Sequence, residues 1–179
     1  MSDVLLLTGP SGSGKTTVAR LVATDAPRPT VHVTTDEFFR AIRTGFIPPY
    51  LPESQRQNVV VVDAIVAAVA VYVDGGYDVV VDGVIGPWFL PPYRRAAAEG
   101  DWRMSYVVLR PDLATTLARG QARGGVELTD ADALTGLHGA FADLGDLERH
   151  AIDTSRLDPE RTAAEVRKAV ASGDYLLSA

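Results

Sequence analysis

The chain has 179 residues and a formal net charge of −6, with 46% apolar and 22% charged residues. This balance excludes an intrinsically disordered chain, and the length fits one domain over residues 1–179. An acidic chain is a poor general binder of nucleic acid, because such binders neutralise phosphates with an excess of Lys and Arg. The chain has no cysteine, which excludes disulfides and a thiol nucleophile and suits a cytoplasmic protein.

Short apolar runs and helical patterns alternate along the chain. In chain order they predict strand 4–7, helix 15–26, strand 30–34, helix 37–43, helix 53–74, strand 78–82, helix 91–99, strand 105–109, helices 112–123 and 129–142, strand 150–154 and helix 159–171. Strands that alternate with helices at this spacing indicate βαβ units around a parallel sheet. The predicted fold is therefore α/β, and its ligand site is expected at the carboxyl ends of the strands.

Residues 53–74 allow two interpretations. The four valines at 59–62 suggest a strand, but the stretch contains no Gly or Pro and is too long for one strand. Val62, Val66 and Val69 recur at helical spacing, so we predict one long buried helix that ends at Gly75-Gly76. We also expect no membrane association, because no apolar run approaches the ~20 residues that a membrane span needs.

The segment between the first predicted strand and the first helix matches G-x-x-x-x-G-K-[ST] in full. Its residues are Gly9, Pro10, Ser11, Gly12, Ser13, Gly14, Lys15 and Thr16. Glycines let backbone N–H groups turn toward phosphate oxygens, a lysine brings a cation to the β- and γ-phosphates, and a threonine hydroxyl can hold magnesium. The motif predicts a nucleoside triphosphate site, with ATP and Mg²⁺ as cofactors, and we include the next residue, Thr17.

A chance match by a glycine-rich turn is the alternative, and the composition of the chain disfavours it. The chain has fifteen arginines and only two lysines, Lys15 and Lys168. One of the two lysines therefore stands at the position where the motif requires it.

Two aspartates near the ends of predicted strands are candidates for chemistry. Asp36 follows the second strand, where a carboxylate can accept the proton of an acceptor hydroxyl or orient the acceptor. It can equally serve only as the N-cap of helix 37–43. Asp82 ends the third strand, where a carboxylate can reach magnesium, and a role in binding the acceptor is nearly as well supported.

Arginines and an aromatic residue complete the candidate site. Arg119 and Arg123 lie four apart on one helix face, and their guanidinium groups can stabilise the transferred phosphoryl group. Arg40 and Arg43 can bind an anionic acceptor. Trp88 lies in a loop expected to face the acceptor pocket. Each of these residues also has a purely structural interpretation, as a solvated helix face or as packing beneath a loop.

These segments together resemble small-molecule P-loop kinases. The resemblance rests on the loop GPSGSGKTT, the segment HVTTDEFF, the strand VVVDGV and the paired arginines of RGQARGG. The group includes chloramphenicol phosphotransferase, shikimate kinase and gluconate kinase, and the likeness to zeta toxins is looser. The resemblance implies a three-layer P-loop NTPase sandwich with a five-stranded parallel sheet in the order 2-3-1-4-5. It also implies that Arg119 and Arg123 belong to a lid over ATP, at about residues 112–128.

Three functions remain open from the sequence. The first is a kinase that transfers the γ-phosphate of ATP to a hydroxyl of a small metabolite or antibiotic, and the second is a nucleoside or nucleotide kinase. The third is a nucleotide-binding regulatory module without transferase activity. A GTPase switch is excluded, because neither Lys15 nor Lys168 lies in an N-K-x-D sequence. We expect a cytoplasmic monomer or homodimer that binds ATP and a small acceptor and no nucleic acid.

Overall fold

Strands and helices alternate along the chain in the computed structural model, which describes residues 2–100, 102–122 and 130–177. The strands are β1 (Asp3–Thr8), β2 (Thr30–Thr34), β3 (Asp78–Gly83), β4 (Arg103–Leu109) and β5 (Ala151–Ile152). The α-helices are α1 (Lys15–Thr24), α2 (Thr35–Arg40), α3 (Gln55–Asp74), α4 (Leu90–Gly100), α5 (Leu113–Gln121), α6 (Ala131–Ala140) and α7 (Pro159–Ser172). Short 3₁₀ helices cover Pro52–Ser54, Pro87–Phe89 and Gly145–His150.

The strands of the described residues form one five-stranded sheet in the order β2-β3-β1-β4-β5. Every strand pair is parallel. In the centre, Val4 of β1 lies between Val79 of β3 and Met104 of β4. The predicted order 2-3-1-4-5 is confirmed, and it brings the ends of β1, β2 and β3 together at one edge of the sheet.

Side chains of β1 alternate between two apolar cores, one on each face of the sheet. Val4 and Leu6 pack in the core that α3 and α4 cover. Leu5 and Leu7 pack in the second core, which α1 and α7 cover. Because successive residues of a strand point to opposite faces, an unbroken apolar run is what a strand covered on both sides requires. The predicted three-layer sandwich is confirmed.

Helix α3 confirms the helical interpretation of residues 53–74, but it is buried on one face only. Val62, Ile65 and Val69 are buried, whereas Val60 and Val71 are exposed. Together with the 3₁₀ helix before it, Pro52–Asp74 is long and apolar enough to cross a membrane by length and composition alone. The prediction that no run approaches that length was wrong. A single helix of this kind is a weak indication, because helices of a protein core pass the same test.

Other boundaries differ from the predicted ones. Helix α2 begins at Thr35 with Thr34 as its N-cap residue, and it ends at Arg40 rather than at residue 43. Strand β5 has two residues rather than five: the 3₁₀ helix before it extends to His150, and the strand ends at Ile152. Helix α5 ends at Gln121, and residues 123–128 of the predicted lid, with Arg123, lie outside the described residues.

Candidate active site

The phosphate-binding motif forms the turn between β1 and α1, as its sequence predicts. Gly12 has φ 92°, and a Cβ there would lie 2.5 Å from the carbonyl oxygen of Thr116 on α5. Gly14 precedes α1 with φ 87°. A residue with a side chain would be strained at either position. The glycines thus allow the loop to wrap tightly and to lie directly against α5.

Lys15 is the first residue of α1 and is only 5% exposed. Its Nζ donates to the carbonyl oxygen of Pro10 at 3.4 Å, so the side chain folds back over the loop. The buried hydroxyl of Ser13 has no hydrogen-bond partner among the described residues. A helix N-terminus, a cation held over the loop and a buried polar atom without a partner together fit a bound phosphate group.

Thr16 connects the phosphate loop to Asp82 at the end of β3. The Thr16 hydroxyl donates to Asp82 Oδ2 at 2.6 Å, and His32 Nε2 donates to Asp82 Oδ1, also at 2.6 Å. Burial alone would raise the pKa of Asp82, but the bonds from His32 and Thr16 and the charge of Lys15 outweigh it and lower the pKa below its usual value. The carboxylate is therefore ionised at neutral pH although it is buried.

This donor set suits magnesium. No group of three potential metal-ligating side chains occurs in the described part of the chain. Magnesium in phosphate-transferring sites needs only one or two carboxylates or hydroxyls, because substrate phosphates and water supply its other ligands. Thr16 and Asp82 offer hard oxygen ligands beside the phosphate loop, so they are the residues that would hold Mg²⁺.

His32 is a site residue that the sequence analysis missed. Thr34 is the register partner of Asp82 across the β2–β3 pair, and His32 lies two residues before it on the same face of β2. Such diagonal neighbours on adjacent strands are within reach of a long side chain. The pairing of β2 with β3 is therefore the signal that could have identified His32.

Asp36 lies in the first turn of α2 and is half-buried. The suggestion that it is the N-cap was wrong, because Thr34 holds that position. Thr35 explains the shift of the helix: it is buried against the end of β3, so closely that a Cβ on Gly83 would lie 2.0 Å from its hydroxyl oxygen. This contact fixes the start of α2 at the carboxyl end of the sheet and places Asp36 there.

One cavity of about 1560 Å³ joins these residues to the predicted acceptor side. Its lining includes the phosphate-loop residues Ser11, Lys15, Thr16 and Thr17 and the acceptor-side candidates Asp36, Arg40, Arg43 and Trp88. Arg40 forms an ion pair with Glu37 at 2.6 Å. Asp82 is not among the lining residues described, and its position behind Thr16 favours the metal role over contact with the acceptor.

Arg119 lies on α5, the helix against which Gly12 packs. Its guanidinium group donates to the carbonyl oxygens of Thr154 at 3.4 Å and Leu157 at 3.2 Å. It is not among the described residues that line the cavity. The structure therefore brings α5 to the phosphate loop and holds the Arg119 side chain against the segment after β5.

The parallel sheet of order 2-3-1-4-5, with the complete G-x-x-x-x-G-K-T motif between β1 and α1, defines a P-loop NTPase fold. The family model AAA_33, described as an AAA domain, matches residues 4–141, and the chain belongs to this family. No curated protein is significantly similar to the chain.

Three solved structures show how closely the fold is shared. A sugar kinase from Janibacter sp. HTCC2649 is 16% identical with a TM-score of 0.71, covering 96% of this chain and 95% of its own. The APS kinase CysC of Mycobacterium tuberculosis, in complex with AMPPNP and APS, is 17% identical with a TM-score of 0.70, covering 95% and 98%. A tunicamycin resistance protein from Deinococcus radiodurans is 18% identical with a TM-score of 0.68, and the match covers both chains fully. At such identities the likeness shows the fold, and the resemblance to small-molecule P-loop kinases is confirmed at that level.

Proposed function

We propose that this protein is an ATP-dependent kinase that transfers the γ-phosphate of ATP to a hydroxyl of a small molecule. The observation that carries the proposal is the shared cavity. Lys15 and Thr16 line it on the phosphate side, and Asp36 lines it on the acceptor side. A nucleotide-binding module without transferase activity needs the first group of residues but has no use for a carboxylate and a large pocket beside it.

In the proposed reaction, the acceptor oxygen forms a bond to the γ-phosphorus while the bond from that phosphorus to the β,γ-bridging oxygen breaks. ADP leaves, and Asp36 takes the proton of the acceptor hydroxyl. Lys15 and the N–H groups at the start of α1 stabilise the negative charge on the phosphate oxygens. Magnesium, when held by Thr16 and Asp82, neutralises part of the phosphate charge.

We also propose that residues 1–179 act as one kinase domain with a lid at about 112–128. Its arginines, Arg119 and Arg123, would meet the phosphates when the lid closes. Arg119 would then exchange its bonds to the carbonyl oxygens of Thr154 and Leu157 for bonds to phosphate. Guanidinium groups suit this exchange, because their planar donors match carbonyl and phosphate oxygens alike.

The three solved structures named above support ATP as the donor and a small molecule as the acceptor, and they differ in the acceptor. One was solved with AMPPNP and APS, which supports ATP as the donor. Another is a sugar kinase and a third confers tunicamycin resistance, so metabolites and antibiotics both remain candidates. We also propose a cytoplasmic location, where ATP and magnesium are supplied. The same proposal includes a monomeric or homodimeric state and no binding of nucleic acid.

A screen for phosphorylated products tests the function. The protein is incubated with ATP, Mg²⁺ and three acceptor classes, namely sugars with sugar acids, nucleosides, and neutral aryl alcohols, and products are detected by mass spectrometry. We expect one class to gain a phosphoryl group with the wild type and with Lys168→Ala, and not with Lys15→Ala. Lys168 is the matched control, because it is the only other lysine and lies exposed on α7. ATP binding with no product from any class would support the regulatory module, and a nucleoside product would support the second candidate.

A further inference from the structure

The cavity has two parts that differ in exposure and chemistry. We call the part farther from solvent the inner wall. It consists of Val62, Ile65, Val84, Ile85, Phe89 and Tyr93. Four of these residues are buried, and the other two are half-buried and pack against the same core. The part of the lining with exposed side chains, which we call the mouth, includes Arg40, Phe46 and Trp88.

Charged residues among the described lining are absent from the inner wall. They lie at the phosphate loop (Lys15), on or just after α2 (Asp36, Glu37, Arg40 and Arg43) and at the start of α6 (Asp130). The signs balance, with three cations and three carboxylates. Lys15 is committed to the phosphate loop, Arg40 is paired with Glu37, and Arg43 is exposed at the mouth, just after α2. An acceptor with a carboxylate or phosphate on its body would therefore lack a matching cation at the inner wall.

Tyr93 is the one residue of the inner wall whose side chain carries a polar atom. The residue is 0% exposed, and its hydroxyl has no hydrogen-bond partner among the described residues. Burial raises the pKa of Tyr93, so the phenol stays neutral and keeps its proton. A buried hydroxyl without a partner is costly, and a ligand that supplies the partner removes this cost.

Tyr106 shows that a partner can be supplied from within this fold. It is equally buried, and its hydroxyl donates to the carbonyl oxygen of Ile85 at 2.8 Å. Tyr106 does not line the cavity within the described residues, whereas Tyr93 does. Of these two buried tyrosines, the one with the unpaired hydroxyl is the one that lines the cavity.

The cavity is also large enough for an acceptor with a sizeable body. Its volume of about 1560 Å³ exceeds the range of about 300–1,000 Å³ for one small-molecule site. Because the phosphate loop and the inner wall share this volume, a bound triphosphate end leaves the inner part to a second molecule. An apolar wall is stabilised by burying apolar surface in proportion to its area, which a small polyol cannot provide.

We propose that the acceptor is a neutral hydroxyl compound with an aromatic or otherwise apolar body that packs on the inner wall, and that the Tyr93 hydroxyl binds an uncharged polar group of this body. That the ligand is a phosphoryl acceptor rests on the proposed kinase function. That it is neutral and apolar rests on the cavity alone. Tyr93 is thus a specificity-determining residue rather than a participant in phosphoryl transfer. Its hydroxyl selects the body of the acceptor, while Asp36 acts at the reacting hydroxyl.

The charge of the ligand is tested with two fluorescent probes of the same shape. N-phenyl-1-naphthylamine is neutral, and 8-anilinonaphthalene-1-sulfonate is the same bicycle and ring with a sulfonate. Both are titrated into the protein with Mg²⁺ and AMPPNP present, so that the phosphate loop is filled. We expect the neutral probe to bind at least tenfold more tightly, the usual scale of leaving one charge without a partner. Equal or tighter binding of the sulfonate overturns the choice of a neutral ligand.

The location of the probe is tested with two glutamate variants. Val84→Glu puts a charge on the inner wall at a half-buried position, and Val60→Glu puts one on the exposed outer face of α3. We expect the first variant to weaken the neutral probe at least tenfold and the second to leave it unchanged, with AMPPNP affinity unchanged in both. If both variants bind the probe as the wild type does, the inner wall is not the site. Thermal unfolding of both variants establishes that they fold.

The role of Tyr93 is tested with a second pair of probes. The neutral naphthalene dye 6-propionyl-2-dimethylaminonaphthalene carries a carbonyl acceptor, whereas N-phenyl-1-naphthylamine has none. Tyr93→Phe should weaken the carbonyl dye by about 3- to 10-fold, the range of one neutral hydrogen bond, and leave the other dye unchanged. Tyr106→Phe should change neither affinity. An equal effect of Tyr93→Phe on both dyes, or no effect on either, overturns the hydrogen bond.

These results separate the inference from the function beneath it. If the dyes fail to bind while sugars or nucleosides are phosphorylated, the proposed acceptor class is wrong and the kinase function stands. If the dyes bind as expected and no compound of any class is phosphorylated, the kinase function fails, and with it the claim that the ligand is an acceptor. Phosphorylation of neutral aryl alcohols, together with dye binding, supports both.

Discussion

The phosphate loop and the inner wall line the same cavity, yet they are built in opposite ways. The loop consists of consecutive residues, Gly9 to Thr16, and offers backbone N–H groups and one cation. The inner wall comes from α3, from the segment after β3 and from α4, which are separate in the sequence. The loop needs no distant residue to be recognised, and the wall exists only after distant segments have packed. The comparison teaches that a contiguous motif indicates the phosphate-binding fold, whereas the shape of the adjoining pocket depends on tertiary packing.

The largest effect is expected at the phosphate loop itself. Lys15→Ala should lower kcat/KM by about 10²- to 10³-fold, because the transferred phosphoryl group loses a preorganised cation in a site shielded from water. Steady-state kinetics with purified variants measure this loss, and Lys168→Ala should behave as the wild type. Unchanged ATP affinity together with unchanged turnover in Lys15→Ala would contradict the role of the loop in binding phosphate.

A substitution of Asp36 tests the proposed proton acceptor, which lies between the phosphate loop and the acceptor pocket. Asp36→Asn should lower transfer by about 10²-fold or more, the usual scale for a general base, and leave ATP affinity unchanged. Because Thr34 is the N-cap residue, this substitution removes no capping bond, and the melting temperature should stay that of the wild type. Asp63→Asn on the exposed face of α3 is the matched control. Near-normal transfer in a stable Asp36→Asn protein would leave the acceptor side without its proton acceptor.

Arg119 sharpens the phosphate side further. Arg119→Ala should lower kcat at least about tenfold while weakening ATP binding less, since contacts made only in the closed state act on kcat. Arg119→Lys should not restore the rate fully, because an ammonium cannot reproduce the planar pair of donors.

Arg167→Ala is the control for Arg119. Arg167 also donates to a backbone carbonyl oxygen, that of Leu21, and it lies away from the cavity. Arg119→Ala removes two part-buried carbonyl contacts, and Arg167→Ala removes one exposed carbonyl contact and an exposed ion pair with Asp25. Arg119→Ala should therefore lose about 1 kcal/mol of stability and Arg167→Ala less. Kinetic parameters that match between the two alanine variants would assign Arg119 to structure alone.

The smallest effect is expected at His32, which is hydrogen-bonded to Asp82. His32→Ala should raise the Mg²⁺ concentration required for half-maximal activity about tenfold, the low end for residues that orient a metal ligand. Turnover at saturating Mg²⁺ should recover most of the wild-type value. His138→Ala, which removes a histidine bonded to the carbonyl oxygen of Pro111, should leave the Mg²⁺ requirement unchanged. A fall in turnover that saturating Mg²⁺ does not relieve would contradict this role.

Sequence reasoning succeeded where a property is local. The apolar run of β1 and the G-x-x-x-x-G-K-T motif determine their own conformation, and the long helix α3 follows from the spacing of its valines. It failed where a tertiary contact decides. The packing of Thr35 against Gly83 moves the start of α2, so Asp36 is not its cap. The sequence of α2 by itself does not indicate that contact.

The acceptor side was harder to predict for the same reason. The pattern of α3 predicts that Val62 and Ile65 are buried, but burial alone does not distinguish a core contact from a cavity wall. Tyr93 and Tyr106 likewise read as two buried aromatics, and only the structure shows which hydroxyl lacks a partner in the described residues. The link between His32 and Asp82 required the pairing of β2 with β3.

The fate of the γ-phosphate tests the central claim most directly. Wild-type protein and Asp36→Asn are given γ-³²P-labelled ATP, Mg²⁺ and the acceptor panel, and the label is separated into ATP, inorganic phosphate and organic product. The account predicts that the wild type transfers the label to one small hydroxyl compound, and that Asp36→Asn binds the same ATP but leaves the label on it. Label that stays in ATP, or that appears only as inorganic phosphate at the same rate in both proteins, would contradict it.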